Sequence, residues 1–439
     1  MNVLNRILKL SLIVFIGNSG SAILSIVTTF LLTHFLSLRD FGIIVLVQTY
    51  STVIQQVFGI QSWQSLVKYG SIQLEAKQQS NYLKILQVGF FLDVLGAILA
   101  FFASILFIFF LGKIFSIPQN EYLLVYIYSI GILFRLTSFP FASLRLANNY
   151  KQLNYYQILL ALLKLLSVSA LCFLSEIDKF SVIIGFVICE SLAFLYLFYV
   201  SVQNLNMPNP WNLFFNFNGL FLFTKRNLKL IRYSINTSLS ASVIGITRQI
   251  DELLIGALLN LESVGIYKII KILSTSINKI IDPLYIVIFP EFNKLIAKKM
   301  TRSIQMILSK LTLYSFIVAG CIFLTIIFGK TYLLDLFLNS KQPLAYIALP
   351  IYFIGISVRM IFFYAHPLAL AYELDREVFV INCIDSIIYM ILCYNLTLQS
   401  GFLGSAIAFC FSSVFAIAAR MLVLQLKTKI FTLKIKDYA

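Results

Sequence analysis

Apolar runs long enough to cross a bilayer, about 20 residues each, recur along the whole of this 439-residue chain and leave no room for a separate soluble domain. Hydropathy places about twelve of them, at 10–36, 41–66, 83–112, 121–147, 155–174, 180–203, 233–259, 263–289, 306–329, 343–367, 378–398 and 402–426. Only 12% of the residues are charged and the mean hydropathy is +0.90, whereas soluble domains carry about 25% charged residues. An all-α integral membrane protein is expected. The first run continues past Asn18-Ser19-Gly20-Ser21 for another half-helix, so it reads as a span and not as a signal peptide.

A net charge of +16 raises the question of nucleic acid, and its placement answers it. An even number of spans puts both termini and every second loop on one side. That side carries Lys68, Lys77, Lys84, Arg145, Lys151, the clusters at 225–232 and 294–302, and the basic tail, whereas the opposite loops hold only Arg39, Lys113, Lys179, Lys330 and Lys341. The positive-inside rule therefore places both termini in the cytoplasm, and no nucleic-acid partner is implied. All six cysteines fall within spans, where a thiol behaves as a small hydrophobe. His34 and His366 lack cysteine or carboxylate company, so no metal and no cofactor is expected.

The longest stretch between runs, NLNMPNPWNLFFNFNGLFLFTKRNLKLIR at 204–232, divides the chain near its middle. The expected organisation is a bundle over 1–203, a cytoplasmic linker over 204–232 and a second bundle with a basic tail over 233–439. The aromatic section Trp211 to Phe223, followed by cationic residues, suits either an interfacial segment or a plain linker. Sliding the chain by 223 positions lays FLSLRDFGI (Phe35 to Ile43) over LLNLESVGI (Leu258 to Ile266), and Gln55 over Asn278. Two six-helix bundles related by a pseudo-twofold along the membrane normal, with a cavity between them, follow from such a parallel repeat.

Polar residues interrupt the apolar runs at helical spacing. Span eight carries Lys268, Lys271, Thr275, Asn278, Lys279 and Asp282 on one expected face; span two carries Gln48, Ser51, Gln55 and Ser62. Span one presents Asn18, Ser21, Ser25 and Thr28, and span seven presents Asn236, Ser240, Thr247, Arg248 and Asp251. Hydroxyls and amides at such places also serve as simple interhelical glue. Charges are harder to explain that way, because a lipid-facing charge costs roughly 3 kcal/mol at mid-bilayer. Asp93 with Arg135, and Lys164 with Glu190, are close enough in depth to neutralise each other; Arg248 has Asp251 and Glu252 at helical ion-pair spacing. The cations Arg248, Lys268, Lys271 and Lys279 concentrate on spans seven and eight, with Arg135 and Arg359 elsewhere. A cavity there would be positive and would attract phosphate. Pro140, Pro283, Pro350 and Pro367 offer joints at which spans could bend.

Three stretches, FLLTHFLSLRDFGIIVLVQTYSTVIQQVFG from Phe30, FASLRLANNYKQLNYYQILLALLKLL from Phe141 and DELLIGALLNLESVGIY from Asp251, carry a family resemblance. With the twelve-span plan they resemble a polysaccharide (O-antigen, Wzx-type) flippase of the multidrug/oligosaccharidyl-lipid/polysaccharide (MOP) exporter superfamily, although Ser37 occupies a position where many relatives have Gly. The resemblance implies a MATE-like fold in a bacterial inner membrane. It also implies transport and not an enzyme: movement of an undecaprenyl-diphosphate-linked oligosaccharide from the cytoplasmic to the periplasmic leaflet by alternating access. Exchange against a proton or sodium ion would accompany this, with a polysaccharide polymerase and a chain-length regulator as partners. On that reading Arg248, Lys268, Lys271, Lys279, Arg135 and Arg359 are candidates for holding diphosphate; Asp93, Glu190 and Asp251 are candidates for ion coupling; Asn18, Ser25, Gln48, Gln55, Asn236, Thr275 and Asn278 would line the cavity among membrane lipids. The rival within the superfamily, a multidrug exporter of organic cations, calls for an acidic cavity. A membrane polymerase or ligase calls for catalytic residues on a large external loop, and the loops near 112–120 and 329–342 are short.

Overall fold

A backbone in lipid must satisfy its own hydrogen bonds, and every regular element among the described residues is helical. The structure, a computed structural model, describes residues 3–205, 211, 214, 223–225, 227–298, 300–338 and 341–428, with side chains at all of these except 3–14, 280–283, 285–287, 290 and 297. Ten helical segments among the described residues are long and apolar enough to cross a membrane. They coincide with ten of the twelve expected runs. The other two, at 233–259 and 263–289, are interrupted helices. Of the linker segment expected to lie at an interface, only Trp211, Phe214 and Phe223 fall among the described residues.

The chain divides into two compact units, Ile23–Ala257 and Met1–Ala22 with Leu258–Ala439. The boundary expected at 204–232 thus falls inside the first unit. Helix α1 (Val3–Phe35) contributes to both. In the first unit, α2 (Leu38–Phe58) starts at Ser37, whose hydroxyl oxygen accepts the Asp40 N–H, and stops at Gly59. After a four-residue break that opens in extended backbone at Gly59 the chain resumes as α3 (Trp63–Glu75), then the long α4 (Gln79–Ile114). The fourth span is assembled from pieces: α5 (Tyr122–Ile130), a 3-10 turn at Gly131–Phe134, and α6 (Ser138–Leu146). Two unbroken helices, α7 (Tyr150–Phe173) and α8 (Lys179–Gln203), follow. The unit is completed by α9 (Leu228–Thr247) and most of α10 (Ile250–Leu258).

An apolar core of Leu66, Leu86, Phe139, Val202 and Leu230 ties α3, α4, α6, α8 and α9 together. Around it the rings of Phe90, Phe139, Phe198 and Phe214 meet edge-to-face or tilted, with Phe90 and Phe214 ring centroids 4.7 Å apart. Away from this core, Leu99, Phe102, Leu106, Phe109 and Phe110 of α4 are exposed, as residues facing lipid should be.

The second unit holds α11 (Leu261–Thr275), α12 (Asn278–Ala297), α13 (Thr301–Phe337), α14 (Pro343–Ile361), α15 (Ala365–Ala371), α16 (Asp375–Ser400) and α17 (Phe402–Lys427). Asn260 caps α11 by accepting the Ser263 N–H, so the caps Ser37 and Asn260 are separated by the same 223 positions as the sequence repeat. Between α16 and α17 the chain reverses on the single residue Gly401, whose φ of 63° favours glycine. Phe292, Ile304, Leu308, Tyr364, Leu368 and Leu424 form the core of one end of this unit. Elsewhere Tyr352 stacks on Phe409 at 4.1 Å.

Two of the four prolines do not break their helices: α14 runs through Pro350 and α12 runs through position 283. Pro140 and Pro367 lie in the first turns of α6 and α15, each just after a break. Hydroxyls mark two of the joints. Thr247 donates to the Val243 carbonyl at 2.7 Å where α9 ends. Thr275 and Ser276 donate to the Lys271 and Ile272 carbonyls at 2.6 and 2.7 Å where α11 ends. Such back-bonding loads the carbonyls of the preceding turn and bends helices. The single polar face expected along Lys268 to Asp282 is therefore divided between two helices, and the Asp282 side chain lies outside the described residues.

Candidate functional site

The broken fourth span is held open by a carboxylate from its neighbour. Asp93, in the middle of α4, accepts the backbone N–H groups of Ser138 and Phe139 at 2.9 and 3.1 Å through Oδ2, and the Ser62 hydroxyl at 3.3 Å through Oδ1. These are orphan donors of the first turn of α6, which would otherwise be buried without partners. Asp93 therefore does not pair with Arg135 as expected from depth. Its two oxygens are engaged by the helix start and by the break between α2 and α3.

That cap leaves Arg135, just past the 3-10 turn, free to reach α8. Its Nε and Nη2 donate to Glu190 Oε2 at 3.0 and 2.7 Å, and its Nη1 donates to Gln55 Oε1 at 3.0 Å. Lys164 of α7 donates to Glu190 Oε1 at 2.7 Å, which is the expected pairing. The Tyr128 hydroxyl donates to the same oxygen at 3.0 Å, and the Tyr128 ring lies 4.9 Å from the guanidinium carbon. Among the described residues, Glu190 is the one carboxylate within ion-pair distance of either cation. The cluster carries one more positive charge than negative. The side chains of Arg135 and Lys164 keep 18% and 23% of their exposure, against 9% for Glu190, so the cations are the reachable part. A diphosphate candidate (Arg135), an ion-coupling candidate (Glu190) and a lining candidate (Gln55) are thus one constellation, joined by Lys164 and Tyr128.

The remaining candidates of the first unit are scattered. Asp251 and Glu252 are buried; Asp251 Oδ1 accepts the Glu252 N–H at 2.9 Å, and Glu252 Oε2 accepts the Thr49 hydroxyl at 2.5 Å. Arg248 is exposed at the joint between α9 and α10. Gln48 is half-buried, whereas Ser25 and Asn236 are exposed. The buried face of α9 consists instead of Ser234, Ser238 and Ser242, which the polar pattern of span seven does not single out. Ser234 bonds to Ser65 at 2.5 Å, Ser238 accepts the Gln61 N–H at 3.0 Å and donates to the Gly59 carbonyl at 3.3 Å, and Ser242 donates to the Gln56 carbonyl. The i, i+4, i+8 spacing of small residues was the available signal. This seam binds α9 to the break between α2 and α3, and explains why the unit extends to residue 257.

In the second unit, Lys279 donates to the Ser21 hydroxyl at 3.3 Å, and Ser21 donates to the Asn18 backbone carbonyl of its own helix at 2.9 Å. Lys268, Lys271 and Asn278 are half-buried, and the Thr275 hydroxyl is engaged by the Lys271 carbonyl. The Arg359 guanidinium lies over the Phe409 ring at 4.6 Å, a cation–π contact. Among the described residues no group of His, Cys, Asp and Glu suits a metal ion.

With this geometry the chain is similar to several solved transporters. The lipid II flippase MurJ in its inward closed conformation aligns with a TM-score of 0.67 at 16% identity, covering 95% of this chain and 88% of MurJ. An inward-facing multidrug resistance MATE family transporter of the MOP superfamily aligns with a TM-score of 0.62 at 11% identity, covering 97% and 96%. A MOP superfamily transporter from Pyrococcus furiosus gives a TM-score of 0.60 at 11% identity, covering 97% and 96%. The class is thus a multi-pass membrane protein with the MOP transporter fold, as the motifs implied. Residues 7–296 match the family described as polysaccharide biosynthesis protein, and the chain belongs to that family. No curated protein sequence matches it as a relative.

Proposed function

We propose that this chain is a lipid-linked oligosaccharide flippase, moving an undecaprenyl-diphosphate-linked repeat unit of O-antigen or a related surface polysaccharide from the cytoplasmic to the periplasmic leaflet of a bacterial inner membrane. The observation that carries the reading is the cluster of Arg135 and Lys164 around the single carboxylate of Glu190. Two cations sharing one anion at membrane depth are costly unless a further negative charge visits them. A diphosphate supplies that charge in the form guanidinium binds best, with paired oxygens. Lys268, Lys271, Lys279, Arg248 and Arg359 would add positive charge along the path. Polar groups such as Gln55 and Asn18 would face the sugars while the polyprenyl tail stays in lipid. Family membership supports this reading, and so does the shared fold with MurJ, a lipid II flippase.

Alternating access would move the passenger, driven by exchange against a proton or sodium ion at Asp251 or Glu190. Asp93, whose oxygens also cap α6, is the third coupling candidate. Both termini would lie in the cytoplasm, and the exported units would pass to a polymerase and its chain-length regulator. Deleting the gene and locating the lipid-linked units tests the reading. Accumulation in the cytoplasmic leaflet with loss of surface glycan is expected; accumulation outside would indicate a polymerase instead.

A further inference from the structure

We infer that Glu190 is a built-in competitor for the phosphate subsite: without a passenger its carboxylate occupies Arg135 and Lys164, and an arriving diphosphate takes its place. The inference rests on the transport reading above and adds a positioning role to it. Three features of the geometry lead to it.

The first is the form of the contact. Glu190 Oε2 receives both Nε and Nη2 of Arg135, the edge of the guanidinium that also grips a phosphate oxygen. The carboxylate therefore fills the place in which the passenger's oxygens would be held. The second is stoichiometry. Lys164 has three ammonium donors and directs one to Glu190. The cations are thus neither neutralised nor saturated by their own carboxylate, and a dianion would outcompete it.

The third is direction. Arg135 and Lys164 keep more of their exposure than Glu190 of α8, the most buried of the three. An anion from the open side reaches the cations without passing the carboxylate. Displaced, Glu190 still has a partner, because the Tyr128 hydroxyl that bonds to Oε1 belongs to α5 and does not depend on either cation. Its other side faces bare backbone at Gly131, where even a Cβ would come no nearer to Oε2 than 3.4 Å. The return of the carboxylate to its cations would then expel the diphosphate, so that tight capture and easy release are obtained from one pair of cations.

The test uses the full chain in lipid nanodiscs and farnesyl diphosphate as a short, soluble probe. Glu190→Gln should bind the probe about tenfold or more tightly than the unaltered protein. Glu190→Asp keeps the charge but withdraws it by one methylene, and should bind several-fold more tightly. Arg135→Ala should bind more weakly. If Glu190→Gln leaves two unopposed cations and does not fold, the Asp variant decides. Unchanged or weakened binding in the folded Glu190 variants would overturn the competitor role. Translocation of a lipid-linked oligosaccharide by the unaltered protein in proteoliposomes is scored separately. Transport with unaltered Glu190-variant affinity removes the competitor role alone, and absent transport removes the flippase reading.

Discussion

The backbone N–H of Ser138 donates to the Asp93 carboxylate at 2.9 Å across 45 positions of chain, so that a side chain of one span sets where the next one bends. Asp93→Ala would leave the Ser138 and Phe139 donors buried and unpaired, and should cost about 2–3 kcal/mol. Asp93→Asn retains an accepting oxygen and should cost less. Thermal unfolding of the detergent-purified variants checks the order. An Asn variant as stable as the unaltered protein but unable to transport would move Asp93 from the cap to ion coupling.

Gly96 lies where α4 meets the break after α2. A Cβ there would sit 2.4 Å from the Ile60 backbone nitrogen, whereas at Gly89 it would meet side-chain atoms of Leu66, the nearest a methyl at 2.3 Å. Backbone cannot withdraw as a leucine methyl can. Gly96→Ala should therefore destabilise the protein by about 1–3 kcal/mol, and by more than Gly89→Ala. Chemical denaturation of the pair would decide, and equal effects would contradict the packing described.

Ser238 accepts the Gln61 N–H inside the seam between α9 and the broken second span. Ser238→Ala removes that acceptor and should cost about 1–2 kcal/mol. Ser240→Ala, at a half-buried position of the same helix whose hydroxyl bonds only to the Asn236 carbonyl one turn back, should be nearly silent. Hydrogen exchange at residues 59–62 gives the local readout: faster exchange in the Ser238 variant alone is expected.

On the transport reading, Arg135→Lys should impair translocation more than tenfold although charge is conserved. Lysine cannot reproduce the two-donor edge applied to Glu190 or span to Gln55. A flipping assay in proteoliposomes measures this, and near-normal rates would show that charge alone suffices at the position.

Lys271→Ala combined with Lys279→Ala should reduce surface glycan while protein level and membrane insertion stay normal. Normal glycan at normal protein level would make these lysines structural, consistent with the contact from Lys279 to Ser21.

Hydropathy revealed the spans because burial in lipid imposes a long, uninterrupted signal, and ten of the expected runs coincide with spanning helical segments. The joints are harder to read. Prolines at 283 and 350 are conspicuous candidates, yet their helices run through them, while other breaks fall at Thr247 and at Thr275-Ser276, where hydroxyls bond to the preceding turn. A hydroxyl bends a helix only in some settings, so its mere presence is a weak sign. The pair Lys164–Glu190 was legible from matched depth, but depth alone also suggested Asp93 with Arg135. What sequence could not convey is azimuth: Arg135 follows a 3-10 turn, which rotates it toward α8 and away from α4.

The clamp on span four has a hereditary side. Because the start of α6 is capped by a neighbouring carboxylate, neither segment encodes its shape alone, and the two can diverge only in concert. Descendants that lose an acceptor at position 93 should have straightened the fourth segment or recruited another residue to grip it.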